Sequence, residues 1–220
     1  LGLTATLVRE DGRADDVFSL IGPKRYDVPW KEMEEQGWIA QASCHEIRVE
    51  LPPEQTVEYA AAKQRERHKI AAENLKKIEV VKSIVKHHEG ELTLVIGQFL
   101  DQLDALGREL RAPVLTGRTP QKERERLFAE FKTGALPVLV VSKVANFSVD
   151  LPDASVCIQV SGTFGSRQEE AQRLGRILRP KKKHAYFYTL VTRDTCELDF
   201  AMNRQLFLTE QGYRYTIEDW

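Results

Sequence analysis

The sequence predicts an α/β fold, a parallel sheet with helices packed on both faces. Apolar runs recur from residue 92 onward as LTLVIG, APVLT, LPVLVVS, VCIQVS and AYFYTLV. Amphipathic helical patterns separate these runs. The runs are near-continuous rather than alternating, as expected of strands covered on both faces. At 220 residues, with 42% hydrophobic and 30% charged residues, the chain can build one well-cored domain with an appendage.

Taken in order, residues 1–53 read as an irregular segment leading into the sheet. Trp30 and Trp38 are expected to anchor it, and HEIRVEL (45–51) alternates like a strand. Residues 54–89 hold no glycine or proline. A single helix there would be roughly 50 Å long, so two helices are expected, broken around His68 to Asn74. Residues 90–220 form the main domain. LTLVIG (92–97) is its first strand. LDQLDALGREL carries leucines at 100, 103, 106 and 110, a helical stripe. APVLT is the next strand. Pro120 opens and Gly134 closes a helix over PQKERERLFAEFKTG. Strands follow at 136–142 and 156–161, then a helix over 168–180, a strand at 185–191, and a helix from about 196 to 211.

Composition narrows the function. No apolar run approaches the ~20 residues of a membrane span, and no signal peptide is visible, so no membrane partner is expected. Cys44, Cys157 and Cys196 are scattered, with no CxxC pair. No metal site is expected, and the thiols read as reduced. His87-His88-Glu89 reads as an exposed helix end, because adjacent histidines on a helix point in different directions. Lys63, Arg65, Arg67 and Lys69 read as a solvated face. A net charge of −1 argues mildly against a dedicated nucleic-acid binder. It leaves room for a motor that grips phosphates with a few loops. The opening Leu1-Gly2-Leu3, without an initiator methionine, is expected to mark a piece of a longer chain.

The run QEEAQRLGRILRP (168–180) carries the strongest chemical signal. Gln172, Gly175, Arg176 and Arg179 are spaced by three and four and share one helix face. Two arginines beside an amide suit a phosphate, and Gly175 leaves room for close approach. Surface ion pairs with Glu169 or Glu170 are the alternative. Polar stretches end several strands: Gly97-Gln98, Thr116-Gly117-Arg118, Ser142-Lys143 and Ser161-Gly162-Thr163. Each could be an ordinary turn. Together they sit where parallel sheets bind ligands. No GxxxxGK[ST] loop occurs. The arginines therefore read as half of a site, facing a nucleotide held by another domain.

Thr4-Ala5-Thr6, LVIGQFLDQL, SKVANFSVDLPDASVCIQVS and QEEAQRLGRILRPK resemble helicase motifs III, IV, V and VI of superfamily 2. LIGPKRYDVPW, QGWIA and GSRQEEAQRLGRILR narrow the resemblance to the XPB helicases of excision repair and transcription factor IIH. The resemblance implies a RecA-like second motor domain of an ATP-dependent 3′-to-5′ DNA helicase, with a thumb-like DNA-gripping element at 54–89. It implies that Arg179 is the arginine finger, Arg176 its companion and Gln172 a γ-phosphate or water contact. Asp150 and Gly175 fall at ATP-facing positions. Gln98, Thr116, Gly117, Arg118, Ser142 and Lys143 fall where the family holds the DNA backbone without reading sequence. ATP and Mg2+ would be held mainly by the first RecA-like domain, so this chain alone would not hydrolyse ATP. A nuclease or repair factor is a further implied partner. The implied location is nuclear in a eukaryote and cytoplasmic, at the nucleoid, in a prokaryote. A duplex translocase without strand separation and a docking module remain alternatives.

Overall fold

The computed structural model describes residues 14–142, 154–162, 171, 173–175 and 184–220. Seven strands among them form one sheet: β1 (Ala42–Val49), β2 (Thr93–Gly97), β3 (Val114–Leu115), β4 (Val138–Ser142), β5 (Val156–Gln159), β6 (Ala185–Thr192) and β7 (Tyr215–Asp219). Their order is β3-β4-β2-β5-β6-β1-β7, and every pairing is parallel. β2, β4 and β5 are buried at every position. Their continuous apolar sequences have that cause.

Helices cover both faces, as expected. The helices are α1 (Ala14–Ile21), α2 (Trp30–Glu35), α3 (Pro53–Ala61), α4 (Gln64–Ala72), α5 (Lys76–His87), α6 (Leu100–Leu110), α7 (Gln121–Thr133) and α8 (Cys196–Glu210). Residues 171 and 173–175 are helical as well. On one face Val80, Val81 and Ile84 of α5 and Leu103 and Leu106 of α6 pack against Val95, Val140 and Ile158. On the other, Phe131 of α7, Leu174, and Phe207 and Leu208 of α8 pack against Ile96, Val141 and Phe187.

Several expectations change. β1 begins three residues earlier than read and lies inside the main sheet. Residues 54–89 make three helices rather than two. The chain is extended at Ala62 and Lys63, where the Glu66 carboxylate caps the Lys63 N–H at 3.0 Å. The second break centres on Asn74, whose Oδ1 accepts the Lys76 N–H at 3.0 Å, a local bond that competes with helix. His68 therefore lies inside α4, buried. α3 buries no residue, whereas α5 is part of the core.

Trp30 does anchor its segment. Its ring meets Phe207 edge-on at 5.5 Å, and its N–H donates to Gln211 at 3.1 Å. Trp38 does not anchor anything; it is 68% exposed. His88 is buried rather than at an exposed helix end, with Nε2 2.9 Å from the Tyr188 hydroxyl. Arg65, Arg67 and Lys69 are exposed, as a solvated face should be. No helix among the described residues is long and apolar enough to cross a membrane.

From β2 the chain turns to α6 on one face. After β5 the helical residues 171 and 173–175 lie on the other. β2 and β5 are neighbours. Their carboxyl ends therefore mark the topological switch point, the place at which open α/β sheets bind ligands.

Candidate phosphate and nucleic-acid site at the switch point

The site is built on two strand exits that touch. Gly97 ends β2 under tight constraint. A Cβ there would lie 2.8 Å from Leu103, 2.9 Å from Val160 and 3.0 Å from the Ser161 hydroxyl. Only glycine lets β2, β5 and α6 converge so closely. The next residue, Gln98, donates its backbone N–H to Ser161 Oγ at 2.8 Å. Ser161 Oγ in turn donates to Gln102 Oε1 at 2.8 Å, and Gln102 donates to the Ala72 carbonyl. The Gln98 side-chain Oε1 is buried with no hydrogen-bond partner among the described residues.

β4 ends beside β2, with Ser142 opposite Gly97 in register. The Ser142 hydroxyl is also buried and without a partner among the described residues. Buried polar atoms are nearly always satisfied, and at these two neighbouring strand ends the described residues leave one unpaired each. The exit of β3 is a closed turn. Thr119 Oγ1 accepts the Thr116 N–H at 3.0 Å, and Thr116 Oγ1 accepts the Arg118 N–H at 3.2 Å. The turn leaves Gly117 and Arg118 exposed. Gln98, Thr116, Gly117, Arg118 and Ser142 thus lie at carboxyl ends of three neighbouring strands, β3, β4 and β2. Lys143 lies outside the described residues.

The arginine helix is docked from beneath. Arg173 is buried and donates to the Gln159 side chain, itself fully buried at the end of β5. That bond fixes the helical residues 173–175 to the central sheet. Gly175 is exposed, and a Cβ there would meet only the Trp30 ring at 3.6 Å, an ordinary contact. Among the described residues no backbone approaches Gly175 closely enough to require glycine. Gln172, Arg176, Arg179 and Asp150 lie outside the described residues.

A polar layer underlies β5 and β6. Lys77 and Glu197, 1% and 3% exposed, form an ion pair at 2.7 Å. Lys77 Nζ also donates to the Val160 carbonyl at 3.0 Å, and Glu197 Oε2 accepts the Thr192 N–H at 2.9 Å. Burial holds the Lys77 ammonium below its usual range, with Glu197 opposing the shift. Burial likewise holds His68 below the ordinary imidazole value, against the pull of Glu197. Sequence reading missed this layer, and it missed Arg173. Its signal was present: Lys77 shares a helical stripe with Val80, Val81 and Ile84, and Glu197 and Arg204 share one with Ala201 and Leu208. Among the described residues no group of three His, Cys, Asp or Glu side chains could hold a metal ion.

Known proteins resemble this chain over nearly all of it. The family profile described as ERCC3/RAD25/XPB C-terminal helicase matches residues 33–219. The chain is 62% identical along its whole length to the DNA 3′-5′ helicase XPB of Kineococcus radiotolerans, and covers 40% of that protein. It is 41% identical, over 99% of its length, to a protein of Drosophila melanogaster. That protein is the general transcription and DNA repair factor IIH helicase/translocase subunit XPB, of which the chain covers 28%. The chain thus spans about two-fifths of the bacterial relative's length and less of the insect one's. In structure it is similar to the C-terminal domain of the DEAD-box protein Dbp5, at a TM-score of 0.63 and 13% identity. That likeness covers 82% of this chain and 91% of the Dbp5 chain, and it shows the RecA-like fold. By the profile match and the identity to these relatives, the chain belongs to the ERCC3/RAD25/XPB C-terminal helicase family.

Proposed function

We propose that this chain is the second motor domain of an ATP-dependent 3′-to-5′ DNA helicase acting in repair. It contributes arginines across a cleft to a nucleotide that the first motor domain holds. One observation carries the reading. Arg173, within the run 168–180 that carries the arginines and glutamine, is bonded to Gln159 at the end of β5, in a family of helicases, while the sequence contains no phosphate-cradling GxxxxGK[ST] loop. The first motor domain would hold ATP with Mg2+, and Arg176 and Arg179 would reach the γ-phosphate while Gln172 would face the attacking water. Asp150 and Gly175 lie on the nucleotide side of the cleft. Arginine fingers contribute about 10³–10⁵ in rate by stabilising charge on the transferring phosphoryl group. A lysine lacks the planar fork and should not replace them.

DNA lies along the neighbouring strand ends. Gln98, Thr116, Gly117, Arg118, Ser142 and Lys143 hold its phosphates, so binding is independent of sequence. The Ser142 hydroxyl, a donor left unpaired among the described residues, favours this placement. Hydroxyls and amides can donate to phosphate oxygens. α3, which buries nothing, and the exposed face of α4 form the gripping element within 54–89. Opening and closing of the cleft would then move the strand past the domain. A repair nuclease remains a candidate partner on the same reading.

The test joins this chain to its nucleotide-holding domain. Arg179→Ala should lower DNA-stimulated ATP hydrolysis by about 10³ or more, with nucleotide affinity retained. Undiminished hydrolysis would overturn the finger assignment. The chain by itself should hydrolyse no ATP, and turnover by the pure domain would refute a site shared between domains.

A further inference from the structure

Three consecutive residues leave β5 with every one of them gripped. The Val160 carbonyl accepts from Lys77. The Ser161 hydroxyl is held by the Gln98 N–H and by Gln102. The Gly162 backbone carbonyl accepts from the His68 ring, and Gly162 lies against the Arg204 guanidinium. A Cβ on Gly162 would sit 2.9 Å from the Arg204 Cζ. Lys77, Glu197, His68 and Arg204 are all buried, and they come from three different helices.

We propose that Lys77, Glu197, His68 and Arg204 form a buried polar strut that fixes where the chain leaves β5. The strut thereby positions the following segment, which carries Gln172, Arg176 and Arg179. These four are positioning residues, and none is placed against nucleotide or DNA. The proposal rests on the motor reading above.

Direction, rather than stability, is what the ion pair provides. Buried ion pairs are weak sources of stability, and apolar pairs of similar volume often serve as well. An ion pair differs by being specific about where its partners sit. Lys77 reaches both the Val160 carbonyl after β5 and the Glu197 carboxylate. Glu197 in turn binds the Thr192 N–H at the end of β6. The ends of two adjacent strands are therefore locked to one ammonium–carboxylate contact. A shift of Val160 would strand a buried ammonium hydrogen with no acceptor. From the other side, Arg204 fills the space into which Gly162 would move. An arginine pair must meet a phosphoryl group within fractions of an ångström, so its base of support needs this definition.

The experiment uses the protein in which this chain is joined to its nucleotide-holding domain, with three variants. Lys77→Met/Glu197→Leu replaces the pair by apolar side chains. It leaves the Val160 carbonyl and the Thr192 N–H unpaired and should melt lower than the parent, while at a temperature where it is fully folded kcat for DNA-stimulated ATP hydrolysis falls at least about tenfold. KM for ATP should stay within about threefold. Glu197→Gln, an isosteric change, should show the same split between kcat and KM at a temperature where it is fully folded. Gly162→Ala disturbs the same exit from the loop side and should reproduce the kcat loss. A folded variant set with kcat within about twofold of the parent, or with kcat losses that simply follow the melting temperature, overturns the strut. Arg179→Ala measured in parallel separates the two readings. If it abolishes hydrolysis, the motor reading stands, and unchanged strut variants overturn the strut alone. If it leaves hydrolysis intact, the arginine reading falls and the strut falls with it.

Discussion

Two buried histidines give the molecule a definite response to acid. The His68 imidazole is held below its ordinary value first by burial, and further by the Arg204 and Lys77 charges, with Glu197 opposing. His88 is shifted in the same direction, again mainly by burial, with His87 and His45 adding and Glu91 opposing. A neutral His88 can accept from the Tyr188 hydroxyl at 2.9 Å, and burial pushes that phenol up to about 12, so it remains a donor. In the unfolded chain both histidines protonate near pH 6.5. In the folded chain they do so only at lower pH. Below about pH 6.5 the unfolded state therefore binds more protons, and stability falls as pH drops toward the folded values. The melting temperature should be nearly flat from about pH 7 to 8 and decline from about 6.5 to 5. His88→Gln keeps a polar partner for Tyr188 and removes one titration. It should reduce the slope by up to one proton, about 1.4 kcal/mol per pH unit. An unchanged slope would place the acid response on other groups.

At the scale of elements, α6 shows how closely helix and sheet are fitted. It buries Leu103 and Leu106, and between them and β3 lies Gly107. A Cβ on Gly107 would sit 2.4 Å from Val114 Cγ2 and 3.1 Å from the Ala112 carbonyl. Valine is stiff at χ1 and cannot turn aside. Gly107→Ala gains about 1 kcal/mol in helix propensity and loses about 1–3 kcal/mol to overpacking. The urea midpoint should therefore fall; a rise would mean that β3 yields easily. Elements of this kind were legible in the sequence. The stripe of α6, Pro120 before α7, left-handed Gly134 after it, and the apolar runs of β2, β4, β5 and β6 each carry a local signal. β7 carries none. It is an edge strand whose residues past Tyr215 are exposed, and only its pairing with β1 makes it a strand. Of the two breaks in 54–89, the one at Asn74 falls at the end of the expected window, whereas the one at Ala62 and Lys63 was hidden, because neither residue is a helix breaker or a usual cap. The site divides in the same way. Strand-end residues such as Gln98 and Ser142 could be placed from the strands alone. Lys77, Glu197, Arg204 and Arg173 stand at core positions of helical stripes, where their charge argues for solvent until a buried partner is seen.

For the whole molecule, a net charge of −1 means that DNA is not drawn by a general positive field. On the proposed placement, attraction comes from the strand-end groups, and most of those are neutral. Gln98, Thr116, Gly117 and Ser142 can hydrogen-bond a phosphate without displacing a counterion. Arg118 and Lys143 are the cations of the set. The exposed bases of α4 are partly engaged: Lys69 pairs with Asp101 at 3.1 Å, and Arg67 donates to the Tyr59 and Ala60 carbonyls. On duplex DNA each neutralised phosphate contributes about −0.9 to the slope of log affinity against log salt. Two cations predict a slope near −2 for this chain, measured by fluorescence anisotropy between about 50 and 200 mM salt. Arg118→Ala should make the slope shallower by about 0.9, whereas Ser142→Ala should weaken binding at every salt concentration and leave the slope alone. The contrast between the two variants is the decisive measurement, because it separates charge from hydrogen bonding at adjoining strand ends. A slope steeper than about −4 would mean that the bases of α4 break their present contacts and add their charges to the grip, so that the strand ends neutralise only part of the bound phosphates.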